Sequence, residues 1–178
     1  MTEKKDMYAE AKSQLRLSER IETFIPGFRG YKEKELRRES DKLIRNHLYQ
    51  KLSAAKNTLK NIFQKLSDRR YFDVLTDMDR LVAKMDRVVE KMNHASYGYT
   101  GFFDVVKVKE AALDRMIDFD NKLIDDVNNY AAEVDAFKAE LASGETKNLK
   151  TRIEALTDKL EGFEDTFDQR DEVIRGVN

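Results

Sequence analysis

Apolar residues recur along most of this chain at alternating spacings of four and three, which is typical of helices packed through heptad seams. Two uninterrupted runs of this kind predict helices over Tyr31–Ser67 and Tyr71–Ala95. The first seam consists of Leu48, Leu52, Ala55, Leu59, Ile62 and Leu66. The second consists of Tyr71, Leu75, Met78, Val82, Met85, Val89 and Met92.

The register slips between these two runs, because Leu66 and Tyr71 are five residues apart. We interpret residues 67–71 as a tight reversal with Asp68 near a helix cap. A single bent helix from Tyr31 to Ala95 is the alternative, since no Gly or Pro enforces a turn between them.

Three further helices are predicted over Thr2–Thr23, Phe102–Ala142 and Lys147–Ile174. The fourth helix has a long apolar face made of Met116, Phe119, Leu123, Val127, Tyr130, Val134, Phe137 and Leu141. The fifth has a face made of Leu149, Ile153, Leu156, Leu160, Phe163, Phe167 and Ile174. Ser143-Gly144 ends the fourth helix, and Gly144 is a plausible left-handed cap.

Two glycine-bearing segments are the clearest breaks. One is residues 25–30, which contains the only Pro, and the other is residues 97–101. The pattern therefore predicts an all-α fold, an elongated antiparallel bundle of about five helices with coiled-coil-like packing. It predicts one domain over 1–178, with an N-terminal helix (1–25) that can lie at the periphery, main hairpins over 31–143 and a C-terminal helix over 146–175.

The composition agrees with long amphipathic helices: 38% of residues are charged, 40% are hydrophobic, and the chain has one Pro and seven Gly. The absence of Cys excludes disulfides and thiolate metal sites. No signal-peptide pattern or long apolar run is present, so we expect a soluble cytoplasmic protein.

The net charge of −1 conceals a gradient along the chain. Residues 1–60 carry 15 Lys/Arg and 9 Asp/Glu, whereas residues 101–178 carry 11 Lys/Arg and 19 Asp/Glu. Internal pairing, within a fold or between subunits, is the favoured interpretation, and an external anionic partner for the basic end is the alternative.

Catalytic and metal-binding patterns have little support. Asp86, Glu90 and His94 share a helix face and form the one group worth inspecting for a metal, although a solvated surface explains them better. The carboxylates Asp118, Asp120, Asp125 and Asp126 lack the Gly and Glu of a calcium loop, so they predict an acidic helix face. Phosphate-loop and nucleophile-elbow motifs are absent from the sequence, and we expect no cofactor, no small-molecule substrate and no enzyme activity.

Nucleic-acid binding is also disfavoured. The basic stretch between Lys32 and Arg45 is interleaved with Glu33, Glu35, Glu39 and Asp41. Intrahelical pairs explain these charges, whereas nucleic acid prefers an uncompensated basic face.

Aromatic residues concentrate at the two breaks, where connecting segments are usually polar. The residues are Phe28, Tyr31, Tyr97, Tyr99, Phe102 and Phe103. If the second and third helices form a hairpin, both breaks lie near one end of the bundle. The rings then pack into an aromatic end-cap, or they present a rigid hydrophobic docking patch.

The segments IPGFRGYKEKELRRESDK and YGYTGFFDVVKVKEAALDRMIDFD resemble those of a family of uncharacterised prokaryotic helical proteins. The resemblance covers roughly residues 24–137 and implies a helical fold, with no activity or site residues attached. The basic N-terminal part (residues 1–60) and the acidic C-terminal part (residues 101–178) are also similar in layout to those of membrane-remodelling proteins of the ESCRT-III and phage-shock type.

These observations favour a non-catalytic helical scaffold or adaptor that mediates protein–protein interaction or self-assembly. The alternative is a peripheral membrane-associated or polymer-forming protein. In that case the first helix would lie on anionic lipid, with Tyr8, Leu15, Ile21 and Phe24 inserted.

Overall fold

A computed structural model describes residues 13, 15–31, 36–98 and 110–175, with the side chains of 95–98, 110–112 and 174–175 left undescribed. Of these described residues, 89% are helical, and they form five helices that pack against one another as a bundle. The helices are α1 (described over 15–24), α2 (Arg37–Asp68), α3 (Phe72–Gly98), α4 (Glu110–Ser143) and α5 (Leu149–Arg175). The all-α prediction is confirmed. At about 1.5 Å per residue, α4 alone is roughly 50 Å long.

The four long helices form a ring in the order α2, α3, α5, α4, with each helix packed on two neighbours. Two antiparallel hairpins, α2–α3 and α4–α5, make up this ring. Across the interface between the two hairpins, α2 runs parallel to α4 and α3 runs parallel to α5. The first pair is shown by Arg69 at the end of α2, which donates to the carbonyl of Leu141 at the end of α4. Likewise Lys91 of α3 pairs with Asp168 of α5, each in the C-terminal half of its helix.

The turn between α2 and α3 is a Schellman motif, which confirms the reversal at 67–71 and excludes one continuous helix. Tyr71 N–H donates to the Leu66 carbonyl and Arg70 N–H to the Ser67 carbonyl, the two hydrogen bonds of that motif. Arg70 occupies the left-handed position, with φ of 62°. The same two hydrogen bonds end α4, where the left-handed residue is Gly144, as predicted.

The predicted seam of α2 is buried at every position. In α3 the buried face is offset from the predicted one, because Tyr71, Leu75 and Val82 are only half-buried. The buried apolar residues of α3 are Val74, Met78, Leu81, Met85, Val88, Val89 and Met92. Since α3 lies at a corner of the ring, the directions of α2 and α5 set its buried face, and spacing alone does not specify those directions.

The predicted start of α2 at Tyr31 is wrong. The described helix begins at Arg37, and Tyr31 lies in the non-helical segment 25–31, whose left-handed Gly27 and Gly30 form the predicted break. Arg37 Nε donates to the carbonyl of Tyr31 at 2.7 Å, so the first turn of α2 satisfies the backbone of this segment.

The break predicted to begin at Tyr97 also starts later, since α3 continues through Gly98. The predicted start of α4 at Phe102 lies outside the described residues.

The described part of α1 lies along α4. Ile21 and Ile25 are buried in the common core, and Arg20 reaches both carboxylate oxygens of Asp125 at 2.6 and 2.8 Å. Of the residues suggested for membrane insertion, Leu15 and Phe24 are exposed while Ile21 is buried.

Candidate functional site

Five polar side chains form a buried charge network at the end of the bundle where α2 begins and α5 ends. Its members are Tyr31, Asp41, Arg45, Asp120 and Arg170. Asp120 and Arg170 have no solvent exposure, and Asp41 is 1% exposed. Isolated charges at such depth would cost several kcal/mol each, so the network depends on mutual compensation.

The centre of the network is the guanidinium of Arg170. Its Nε donates to Asp120 Oδ1 at 2.5 Å, and its Nη2 donates to the Tyr31 hydroxyl at 3.0 Å. Tyr31 in turn donates to Asp120 Oδ2 at 2.5 Å. Arg170 Nη2 also lies 2.9 Å from Asp41, which pairs on its other side with Arg45. The contacts of Asp41 are ion pairs that lack hydrogen-bond alignment.

Burial and the neighbouring charges fix the protonation states of two members. Burial raises the pKa of Tyr31 well above its ordinary value, and the carboxylate of Asp120 raises it further. Burial alone would lower the pKa of Arg170, but the carboxylates of Asp120 and Asp41 outweigh it and hold that pKa well above the ordinary value. Tyr31 therefore remains a hydrogen-bond donor and Arg170 remains a cation.

The network joins four segments of the chain: the 25–31 loop through Tyr31, α2 through Asp41 and Arg45, α4 through Asp120, and α5 through Arg170. Two carboxylates and two guanidiniums compensate each other in charge. The chemistry of this arrangement is that of an internal tie between segments, because its acidic and basic groups are engaged with one another rather than with solvent.

The four aspartates predicted to form one acidic helix face are divided in the structure. Asp120 is fully buried in the network, which corrects that prediction. Asp125 is engaged by Arg20, and Asp118 is exposed. The helix turns Asp120 toward the core because it lies four residues after Met116 and three before Leu123, both fully buried.

Two of the six predicted patch residues are described, and both are core residues. Phe28 and Tyr31 are 2% and 0% exposed, and their rings meet edge to face with centroids 5.7 Å apart. These two rings are therefore unavailable as a docking surface and pack as an end-cap would. The side chains of Tyr97, Tyr99, Phe102 and Phe103 lie outside the described residues.

The group suggested for a metal is held by other contacts. Asp86 lies 3.2 Å from both Lys56 and Lys60 of α2. Burial acts to raise the pKa of Asp86, but the two lysines outweigh it and lower that pKa. Glu90 and His94 are 3.4 Å apart on an exposed surface. Within the described ranges, no cluster of three or more His, Asp or Glu side chains is arranged to hold a metal ion.

One open hollow of about 290 Å³ lies between α4 and α5 beside Tyr130. Its two lysines are already engaged: Lys159 pairs with Glu133, and Lys122 donates to the Thr166 hydroxyl. The hollow is thus a cleft between paired side chains of two packed helices.

The outward side of α2 has an unusual composition for a chain with 38% charged residues. An exposed stripe of uncharged amides runs along it, which we call the amide face: Asn46, Gln50, Asn57, Asn61 and Gln64. Lysines flank this stripe, with Lys42 and Lys60 on one side and Lys51 and Lys65 on the other. Residues 42–67 contain no Asp or Glu, so α2 itself supplies no acid to neutralise those lysines, and only Lys60 among them pairs with a described carboxylate, that of Asp86 on α3.

The outward side of α5 has the opposite character. Carboxylates follow it at spacings of four and three, and we call this stripe the acidic face: Glu154, Asp158, Glu161, Asp165, Asp168 and Glu172. Lysines of α3 engage Glu161 and Asp168 from the side. Asp158, Asp165 and Glu172 have no ion-pair partner among the described residues. Because α2 and α5 occupy diagonal corners of the ring, the two faces point in opposite directions.

Comparison with protein-family models, with curated proteins and with solved structures finds no match for this chain. The described helices include none that is long and apolar enough to span a membrane.

The buried charge network was missed in the sequence, although the spacing carries a signal for it. The seam of α2 continues backward through Arg45 and Asp41 at spacings of three and four, and Arg170 follows Phe167 by three. Asp120 likewise lies four residues after Met116 and three before Leu123, so two acids and two bases occupy seam positions, which indicates buried pairs. The acid-free stretch of residues 42–67 is likewise visible in the sequence. That it lies on the opposite side of the bundle from the acidic face follows only from the order of the helices in the ring.

Proposed function

We propose that this chain is a non-catalytic helical scaffold that mediates protein–protein interaction through the outward faces of α2 and α5. The observation that carries the proposal is the separation of charge between these faces. An exposed helix surface usually mixes both signs, because pairs three and four residues apart stabilise the helix. Here acids are excluded from the amide face and concentrated on the acidic face.

The acidic face is costly for the isolated protein. Its carboxylates are neighbours at three- and four-residue spacing, and each such like-charged pair destabilises a helix by roughly 0.2–0.5 kcal/mol. A partner that places cations or hydrogen-bond donors over the stripe would offset this cost. We expect this arrangement of a binding surface, because the helix is less stable when free than when a partner covers its carboxylates.

The bundle itself is suited to hold such faces rigidly. The buried charge network ties α2, α4 and α5 together near one end, and a Schellman turn closes each hairpin at the other end. Each outward stripe is therefore carried by a helix of fixed orientation.

Zero-length carbodiimide cross-linking tests the proposal, since this reagent joins carboxylates and lysines that are in direct contact. We expect cross-linking in cells that make the protein, followed by mass spectrometry, to give intermolecular links to protein at Lys51 of α2 and at Asp158 and Asp165 of α5. Links at these positions to no other protein molecule, with only internal links such as Lys84–Glu161, would contradict the proposed function.

A further inference from the structure

We propose that the partner of each face is a second copy of this chain, so that the amide face of α2 on one copy packs against the acidic face of α5 on the next. This inference rests on the proposed function and names the partner. The copies would associate through two different surfaces rather than through one self-complementary surface.

Charge complementarity identifies the occupant. The amide face offers side-chain N–H groups and the flanking lysines Lys42 and Lys51, with no carboxylate between residues 42 and 67. The acidic face offers carboxylate oxygens, which accept hydrogen bonds from amides and ammonium groups. The amide face therefore supplies the donors that the acidic face lacks, whereas two acidic faces would repel each other.

The dimensions of the two faces also match. The amide face extends from Asn46 to Gln64 and the acidic face from Glu154 to Glu172, so each spans 19 residues. At about 1.5 Å per residue both are roughly 27 Å long. Two helices of equal stripe length can lie side by side with every turn of one facing a turn of the other.

The position of the faces determines the kind of assembly. Because they lie on diagonal corners of the ring, a copy that uses one face leaves the other free for a further copy. A contact between two different surfaces grows into a ring or an open filament and does not stop at a two-fold dimer. We therefore infer an assembly that extends beyond two copies.

Salt dependence follows from the chemistry of the contact. The side chains are exposed, and charges at protein surfaces are screened over about 10 Å at 0.1 M salt and about 3 Å at 1 M. In analytical ultracentrifugation of the full chain, we expect the average mass to rise at least twofold with protein concentration at about 50 mM salt. We expect it to return to the monomer value at about 1 M salt.

Two variants separate the faces. Asp158→Asn/Asp165→Asn/Glu172→Gln removes the three charges of the acidic face that have no ion-pair partner among the described residues, and Asn57→Glu/Asn61→Glu places acids on the amide face. Each variant alone is expected to be monomeric at low salt. Mixed together, they retain one intact amide face and one intact acidic face, so we expect a one-to-one heterodimer that does not grow further.

The matched control is Asp79→Asn/Asp135→Asn/Glu145→Gln, which changes the net charge of the chain by the same amount at exposed positions off both faces. It is expected to assemble as the parent does. Circular dichroism confirms that all variants remain folded.

Several outcomes would overturn the inference. They are a monomer at every salt concentration, a closed dimer in which both mutant faces leave association unchanged, or a mixture of the two variants that stays monomeric. Binding of the monomer through Lys42 and Lys51 to anionic vesicles or duplex DNA would also overturn it. Cross-links from these faces to a different protein would reject the second copy but leave the proposed function standing, whereas the absence of any intermolecular protein link rejects both.

Discussion

Arg170 Nε donates to Asp120 Oδ1 at 2.5 Å, joining α5 to α4 where neither side chain has any solvent exposure. The two residues are 50 positions apart in the chain, and the contact is made at the end of the bundle opposite the α4–α5 turn. The same guanidinium contacts Tyr31 and Asp41, so one side chain of α5 holds three other segments in register.

Removal of this guanidinium is expected to destabilise the fold strongly. Arg170→Met leaves Asp120 and Asp41 buried with reduced compensation, and breaking a buried ion pair costs about 3–5 kcal/mol. Tyr31→Phe removes only the hydroxyl and should cost about 1–3 kcal/mol. Chemical denaturation of both variants gives these free energies of unfolding directly.

Arg152→Met is the matched control for Arg170→Met, because it is the same substitution on the same helix. Arg152 pairs with Glu140 at a partly exposed position, where an ion pair contributes about 0–1 kcal/mol. Equal losses for Arg170→Met and Arg152→Met would show that the buried charge network does not stabilise the bundle.

The two Schellman turns predict opposite effects at equivalent positions. Gly144→Ala is expected to cost about 1 kcal/mol, since φ is 85° and an L side chain is strained there even though no atom lies within 4 Å. Arg70→Gly relieves the same strain at φ of 62° and should be neutral to stabilising by roughly 0.5–1 kcal/mol.

Gly162→Ala is the control for Gly144→Ala. Gly162 lies inside α5 with equally open space around its Cα, but it has an ordinary helical φ. Alanine at this position should stabilise the protein by about 0.5–1 kcal/mol. Thermal unfolding measures these effects. A loss of stability for Gly162→Ala would mean that the space around the new methyl group, rather than the backbone φ, determines how these substitutions change stability.

His47 should make the protein less stable as the pH falls. Burial lowers the pKa of His47 from its ordinary value of 6.5, and the charge of Lys51 lowers it further. The folded state therefore binds this proton less readily than the unfolded state. The stability that this difference contributes is complete above the pKa of His47 in the unfolded state. It is lost as the pH falls through the pKa of His47 in the folded state.

NMR titration of His47 is expected to give a midpoint below 6.5, and Lys51→Gln should raise that midpoint without restoring it fully. His47→Gln should reduce the loss of unfolding free energy between about pH 7 and pH 5. A midpoint above 6.5 for His47 would contradict this assignment of burial.

Local pattern was enough to predict much of the fold. The four-three spacing predicted that Leu48, Leu52 and Leu59 would be buried, because a helix brings such positions onto one side whatever its neighbours are. The left-handed cap at Gly144 was equally predictable, since glycine adopts that conformation without a steric cost. The reversal after Asp68 was harder, because Arg70 occupies the position where glycine is usual.

Only the tertiary structure could decide which elements face each other. Spacing placed Val82 in the α3 seam, yet α3 buries Leu81 more deeply because its neighbours lie on two sides of it. Asp120 and Arg170 are ordinary helical charges until α4 and α5 bring them within hydrogen-bond distance, in surroundings that exclude water. The opposition of the amide and acidic faces has the same origin: spacing determines the direction of each stripe on its own helix, and the ring order determines that the two stripes point apart.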